Sequence, residues 1–171
     1  MNRVIFLLTS FNGRIGRQQF WIGVALICVA TVVLSMLMVA LGLGQSTTVK
    51  GVTELSTGER SEFIRTRNSA SALGSLIVAV LMAFPTIALG MKRRHDRDFS
   101  GYDVVGYVAL TLLIQLSQAF GILSGELTFA LSIIMLIWGI CLFILLGFLR
   151  GTTGPNTYGP DPLGADRQPP Q

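Results

Sequence analysis

The sequence predicts an all-α membrane protein: a bundle of four transmembrane helices with both termini cytoplasmic and a short N-terminal interfacial helix. Three observations predict it. Of 171 residues, 51% are hydrophobic and only 13% charged, and the mean hydropathy is +0.62; a soluble domain carries about 25% charge. Four apolar runs, at about 20–43, 72–91, 104–123 and 127–149, each reach the roughly 20 residues that a helix needs to cross a bilayer. The lysines and arginines lie beside these runs rather than within them.

Taken in order, Val4 to Leu8 is apolar but too short to cross a bilayer, and no small-residue cleavage site follows it. It reads as a segment lying in the membrane interface. Asn12-Gly13 is a turn signal. Arg14 and Arg17 are three apart, which on a helix puts them on one face. Phe20 and Trp21 suit the aromatic belt at the membrane edge. The first span has only Thr31 and Ser35 as polar residues, and it starts too late and runs too long for a cleaved signal peptide.

Residues 45–71 carry Lys50, Glu54, Glu59, Arg60, Glu62, Arg65 and Arg67 without clear periodicity. They read as a solvated periplasmic loop with room for a short strand or helical turn. The second span contains Pro85, which should kink or loosen it, and Ala79 and Ala83, a small-xxx-small pair. Lys92 to Gly101 follows, the densest cluster of ionisable groups and the place of the only histidine, His95. Between two lipid-soluble runs it reads as a loop at the water–membrane boundary.

In the third span Gln115 and Gln118 share a face. An unpaired amide in hydrocarbon is costly, so both should turn toward other helices. Ser124-Gly125-Glu126 is a tight turn. The fourth span holds Trp138, Gly139 and Cys141 and ends at Arg150. Three prolines and three glycines in Gly151 to Pro162 exclude helix and strand interiors. Residues 1–163 form a single integral membrane domain, and 164–171 a disordered tail.

Four spans place both termini on one side, with the N-terminal arm, the charged central stretch and the tail. That side carries nine lysines and arginines against four on the other, so the positive-inside rule makes it cytoplasmic. The net charge of +4 and pI of about 9.6 then suit anionic lipid rather than nucleic acid, because the basic residues flank apolar runs. Cys28 and Cys141 lack the spacing of a metal or redox site and read as buried small apolar side chains.

Three motifs carry a resemblance. They are a turn-Gly13-Arg14-x-x-Arg17-x-x-Phe20-Trp21 opening, the loop with Arg93, His95, Asp96, Ser100 and Gly101, and the tail with Gly151, Gly154, Asn156, Tyr158, Gly159, Pro160, Asp161 and Pro162. Over roughly residues 1–163 the chain resembles the YhaH/YhaI-like bacterial inner-membrane proteins, catalogued as a domain of unknown function (DUF family 805). It departs where the commonest form of the loop has Arg, Leu, Gly and Trp and this chain has Lys92, Arg94, Asp98 and Tyr102. The Asp98 departure weighs against a need for glycine there. The resemblance implies a multi-pass protein of the bacterial inner (plasma) membrane and carries over no activity.

Catalysis has little to stand on. His95 and Asp96 are adjacent, and neighbours on a helix do not face each other. No catalytic residue, cofactor or metal site is assigned, since a lone histidine is a poor metal site. A phospholipid-modifying enzyme is therefore the weakest reading. A small oligomeric transporter or channel is the alternative, although no span holds an ionisable residue. The favoured reading is a head-group-binding or partner-binding scaffold whose basic cytoplasmic surface comprises Arg14, Arg17, Arg93, His95, Asp96, Asn156, Tyr158 and Asp161. Its partners would be membrane lipids with anionic head groups, a protein or a second copy. The tail is expected to fold back under the bundle, with Asp96 or Asp161 bonded to Arg14, Arg17 or Arg93.

Overall fold

A computed structural model describes residues 3–54 and 60–164. The elements are α1 (Arg3–Thr9), α2 (Arg17–Ala40), strands β1 (Gly44–Glu54) and β2 (Arg60–Ala70), α3 (Ala72–His95), α4 (Tyr102–Phe120) and α5 (Gly125–Gly147). Helices α2 to α5 are long and apolar enough to cross a membrane. Even α4, with 19 residues, extends nearly the ~30 Å of a hydrocarbon core. The tail expected to be disordered falls, beyond Gly164, outside the described residues. So do the side chains of Arg3, Lys50, Arg60, Arg65, Arg67 and Arg167.

Local chemistry sets the helix ends. Ser71 and Ser124 cap α3 and α5 by accepting hydrogen bonds from the N–H groups of Gly74 and Leu127. Gly121 closes α4 in the left-handed conformation, with φ of 63°. Helix α3 continues through Pro85 to His95, four residues beyond the expected end at Met91. Lys92, Arg93, Arg94 and His95 thus form a helical turn rather than a loop.

The polar stretch expected as a loop is a two-stranded antiparallel ribbon, with Gly44 opposite Ala70 and Glu54 opposite Arg60. The chain is therefore mostly helical rather than all-helical. Its β-branched residues, among them Thr47, Thr48, Val52 and Thr66, favour extended backbone. No alternation announces the strands, because side chains on both faces, from Gln45 to Thr48, are exposed and no buried face imposes a pattern.

The cluster that joins all four long helices lies near one end of the bundle. Leu7 of α1, Ile15, Phe20 of α2, Leu89 of α3, Val104 of α4, and Leu142 and Leu146 of α5 are buried together. Glycines allow the close approaches. A Cβ at Gly23 would overlap the Leu89 side chain, and one at Gly90 would lie 2.6 Å from Val104 Cγ1. These positions bring helices together, whereas Ala79 and Ala83 are only half-buried. Away from this end the helices turn apolar side chains such as Val33, Met36 and Leu136 outward, as lipid contact requires. Cys28 and Cys141 are exposed free thiols rather than buried ones. Gln115 and Gln118 line a crevice of about 320 Å³ with Thr111 of α4 and Ser132 of α5.

Val104 is β-branched and stiff, so the α3–α4 contact has little room to adjust. Gly90→Ala should lower stability by about 1–3 kcal/mol. Gly125→Ala, which meets nothing within 4 Å, should leave it unchanged or slightly raised. Thermal melts of the two variants in one detergent make the comparison.

Candidate functional site

Three stretches distant in sequence meet at the end of the bundle where the core cluster lies. They are the turn before α2, the last turn of α3 with the residues after it, and the tail after α5. Asp96, which caps α3, is 4% exposed and stands at the centre. Its Oδ1 accepts from Arg14 Nε at 3.3 Å and Nη2 at 3.2 Å. Its Oδ2 accepts from Arg93 Nη1. Its backbone carbonyl accepts from the Thr152 N–H at 2.8 Å. One residue thus holds the arm, the helix and the tail.

The arginines do more than pair with Asp96. The Nη1 of Arg14 donates to the carbonyls of Gly154 at 2.7 Å and Gly159 at 3.2 Å, and its Nη2 to that of Thr152 at 2.7 Å. Only a planar fork with several N–H groups can satisfy such a set. The Nε of Arg93 donates to Leu146 O at 2.7 Å and its Nη2 to Leu149 O. Lys92 Nζ donates to the Phe6 and Leu7 carbonyls of α1 and lies over the Phe6 ring.

Helix α5 ends in carbonyls that have no partner within the helix. Arg93 takes Leu146 and Leu149, Arg17 takes Phe148 at 3.3 Å, Arg97 takes Leu145 at 3.4 Å, and the Trp21 indole takes Gly147 at 3.3 Å. Cations at the negative end of the helix dipole are favourable as well. Arg93 and Lys92 are both 0% exposed, so these bonds replace the water they have lost.

The tail is shaped to reach this centre. Asn156 and Gly159 exchange backbone hydrogen bonds of 3.1 Å each way. The Asn156 side chain donates to His95 O at 2.8 Å. Asp161 Oδ2 accepts from the Gly154 N–H at 3.1 Å. The Tyr158 ring stacks on His95 with centroids 3.9 Å apart. A Cβ at Gly151 would overlap the Asp96 carboxylate, so a glycine is required there for close approach. Asp98 has a φ of 61°, a conformation natural to glycine that Asp tolerates. The departure at position 98 therefore does not remove the need for left-handed backbone, and Asp98 Oδ1 also accepts from the Thr157 N–H.

Burial pushes the Asp96 carboxyl above its ordinary value, while the guanidiniums of Arg93 and Arg14 pull it down. His95 is buried, and among the described residues its Nδ1 has no hydrogen-bond partner.

The structure brings together Arg14, Arg93, His95, Asp96, Asn156, Tyr158 and Asp161. Most of their polar atoms are used in holding one another. Arg14 and Arg17 do not share a helix face. Arg14 lies in the extended segment before α2, and Arg17 opens the helix on its exposed side. Sequence reasoning missed Lys92, Gly151 and Thr152 as members of the cluster. Gly151 belongs to the recognised tail motif, although nothing local marks its crowding against Asp96, and Thr152 lies between two of that motif's residues.

The family described as "Protein of unknown function (DUF805)" matches residues 8–160. The chain belongs to the DUF805 family. The match spans the arm, the α3 end and most of the tail described above. The uncharacterized protein YiiR of Escherichia coli strain K12 is 28% identical over 155 residues, which cover 90% of this chain and 86% of YiiR. A protein of the same name from Escherichia coli O157:H7 is similar to the same extent. No solved structure matches. The likeness to YhaH and YhaI in particular rests on the motifs alone, and the DUF805 assignment brings no activity with it.

Gly151→Ala should force the tail away from Asp96 and lower stability by about 1–3 kcal/mol. Trypsin should then cut faster after Arg150. Thr153→Ala, at an exposed position, should change neither the melting temperature nor the cleavage rate.

Proposed function

We propose that this DUF805 protein is a scaffold of the bacterial inner membrane that binds anionic lipid head groups on a cytoplasmic face formed at the arm–tail end of its bundle. The binding role falls mainly to Arg17 and Arg150. Arg14, Arg93, His95, Asp96, Asn156, Tyr158 and Asp161 build the floor beneath them.

The observation that carries the reading is a pair of adjoining crevices at the start of α2. One, of about 340 Å³, is lined by Gly16, Arg17, Gln18, Gln19, Pro162 and Leu163. The other, of only about 30 Å³, has Arg17 and Arg150 in its wall beside the Asp96 and Asp161 carboxylates. Arg17 makes one side-chain bond, to Phe148 O, and Arg150 makes none among the described residues. Their remaining N–H groups can grip a phosphate in a two-pronged geometry. Asp96 in the smaller crevice is paired with Arg14 and Arg93, and Asp161 accepts from the Gly154 N–H, so the larger crevice, which has Arg17 and no carboxylate in its wall, is the one that suits an anion.

The positive-inside count supports the cytoplasmic placement of this face. The alternative, a small oligomeric transporter or channel, would draw on the Gln115–Gln118 crevice, which lies between α4 and α5 and would need a second copy to close it.

Each basic residue near a membrane surface contributes about 1 kcal/mol toward anionic lipid. Arg17→Gln with Arg150→Gln should therefore cut the preference for phosphatidylglycerol over phosphatidylcholine roughly 10- to 30-fold. Native mass spectrometry of lipid retention measures this. Equal retention of the two lipids by the wild-type chain would refute head-group binding, and ion flux in liposomes would favour the channel.

A further inference from the structure

Below the arginine floor lies an apolar cavity that the four long helices enclose but do not fill. Its volume is about 230 Å³, and Phe20 and Ile27 of α2, Gly90 of α3, Tyr107 of α4, and Gly139 and Leu142 of α5 are among its walls. It is larger than the ~150 Å³ apolar cavity that stays dry and takes a benzene-sized guest. Two other wall residues, Cys28 of α2 and Phe143 of α5, are themselves exposed. The Trp21 ring meets Phe143 edge-on at 5.4 Å, so Phe143 lies on the α2 side of α5. The mouth is therefore between α2 and α5 and opens sideways.

The size and polarity of the cavity name its occupant. An unfilled apolar space carries a cost that grows with its volume. Water has almost nothing to bond to in this one. A helix of a second copy is about 10 Å across with its side chains, too wide for the space. The medium that wets a lateral opening between two membrane helices is lipid tails, which are slender and apolar. Phe20, in the cavity wall, is one helical turn from Arg17, and Leu146, also in the wall, lies four residues before Arg150, which follows the end of α5. A chain in the cavity thus hangs directly below the basic crevices.

We propose that the cavity holds one acyl chain of an anionic phospholipid whose phosphate lies at Arg17 and Arg150. The head of this ligand rests on the reading in the preceding subsection; the chain site rests on the cavity alone. Binding of this kind selects one lipid molecule by tail and head together, in contrast to a general attraction for a charged surface.

The test uses the full chain in phosphatidylcholine vesicles that contain phosphatidylglycerol. A trace of the phosphatidylglycerol carries a diazirine midway along one acyl chain. After illumination, peptide mass spectrometry maps the adducts. They should favour the cavity-lining Ile27, Gly139 and Leu142 over the outward-facing Val29, Val33 and Met36 by about tenfold, the ratio that roughly 1.4 kcal/mol of site preference produces.

Cys28→Trp at the mouth, or Thr86→Phe from the α3 wall, should abolish the cavity adducts and leave the outer ones. Arg17→Gln with Arg150→Gln should keep cavity adducts with a phosphatidylcholine probe and lose the preference for phosphatidylglycerol. Adducts spread in proportion to exposure would overturn the chain site, as would cavity adducts that survive both filling variants. If the arginine variant changes nothing while the filling variants remove the adducts, the chain site stands and the head-group assignment falls.

Discussion

The buried Asp96 carboxylate between two guanidiniums is the contact on which the rest of this structure depends. Arg14 comes from the segment before the first long helix, and Arg93 from the last turn of α3. Asp96 is the only acidic side chain that either guanidinium pairs with among the described residues. A single carboxylate cannot neutralise Arg14, Arg93 and Lys92 together. The remainder is met by carbonyl oxygens of the tail, of the end of α5 and of α1. Taking one member from such a group leaves a buried charge uncompensated, which typically costs about 3–5 kcal/mol.

This arrangement answers a problem that membrane helices share. Beyond the hydrocarbon the chain must turn, and at each turn backbone carbonyls lose their helical partners. In this protein arginines from three elements converge on the end of α5 and on the tail. The cations satisfy carbonyls, the carbonyls balance the cations, and the tail is drawn up against the helices. The buried hydrophobic cluster forms at the same end, so polar and apolar fastenings reinforce each other there. Farther along, the four helices leave a side-opening space between them. The lipid site proposed above draws on both features, the well-fastened end and the apolar space beside it.

The apolar spans are legible in the sequence because hydrocarbon imposes a simple demand: some twenty residues without charge. The meeting of arm, loop and tail is legible as topology, since four crossings put them on one side. The role of the basic residues is not. Lys92 and Arg93 lie in a run of charge that normally marks a solvated loop, yet they are helical and fully buried. Their acceptors, at Phe6 and Leu146, are too far away in sequence for any local pattern to reveal. Arg14 and Arg17 have helical spacing, but the helix begins only at Arg17. The strands β1 and β2 leave no periodic trace where their side chains are described, because Gln45 to Thr48 are exposed on both faces. Asp98, standing where the commonest form of the loop has a glycine, reads in sequence as a change of requirement. Its left-handed backbone shows that the requirement is the same.

A double-mutant cycle on Arg14 and Asp96 addresses the central contact directly. Unfolding free energies of wild type, Arg14→Gln, Asp96→Asn and the double variant would be measured in one micelle system. Each single change should be strongly destabilising, and the double variant should be less destabilised than the sum by about 1–3 kcal/mol. Losses that add to within about 0.5 kcal/mol would mean that the two groups do not interact, and the buried centre described above would be wrong.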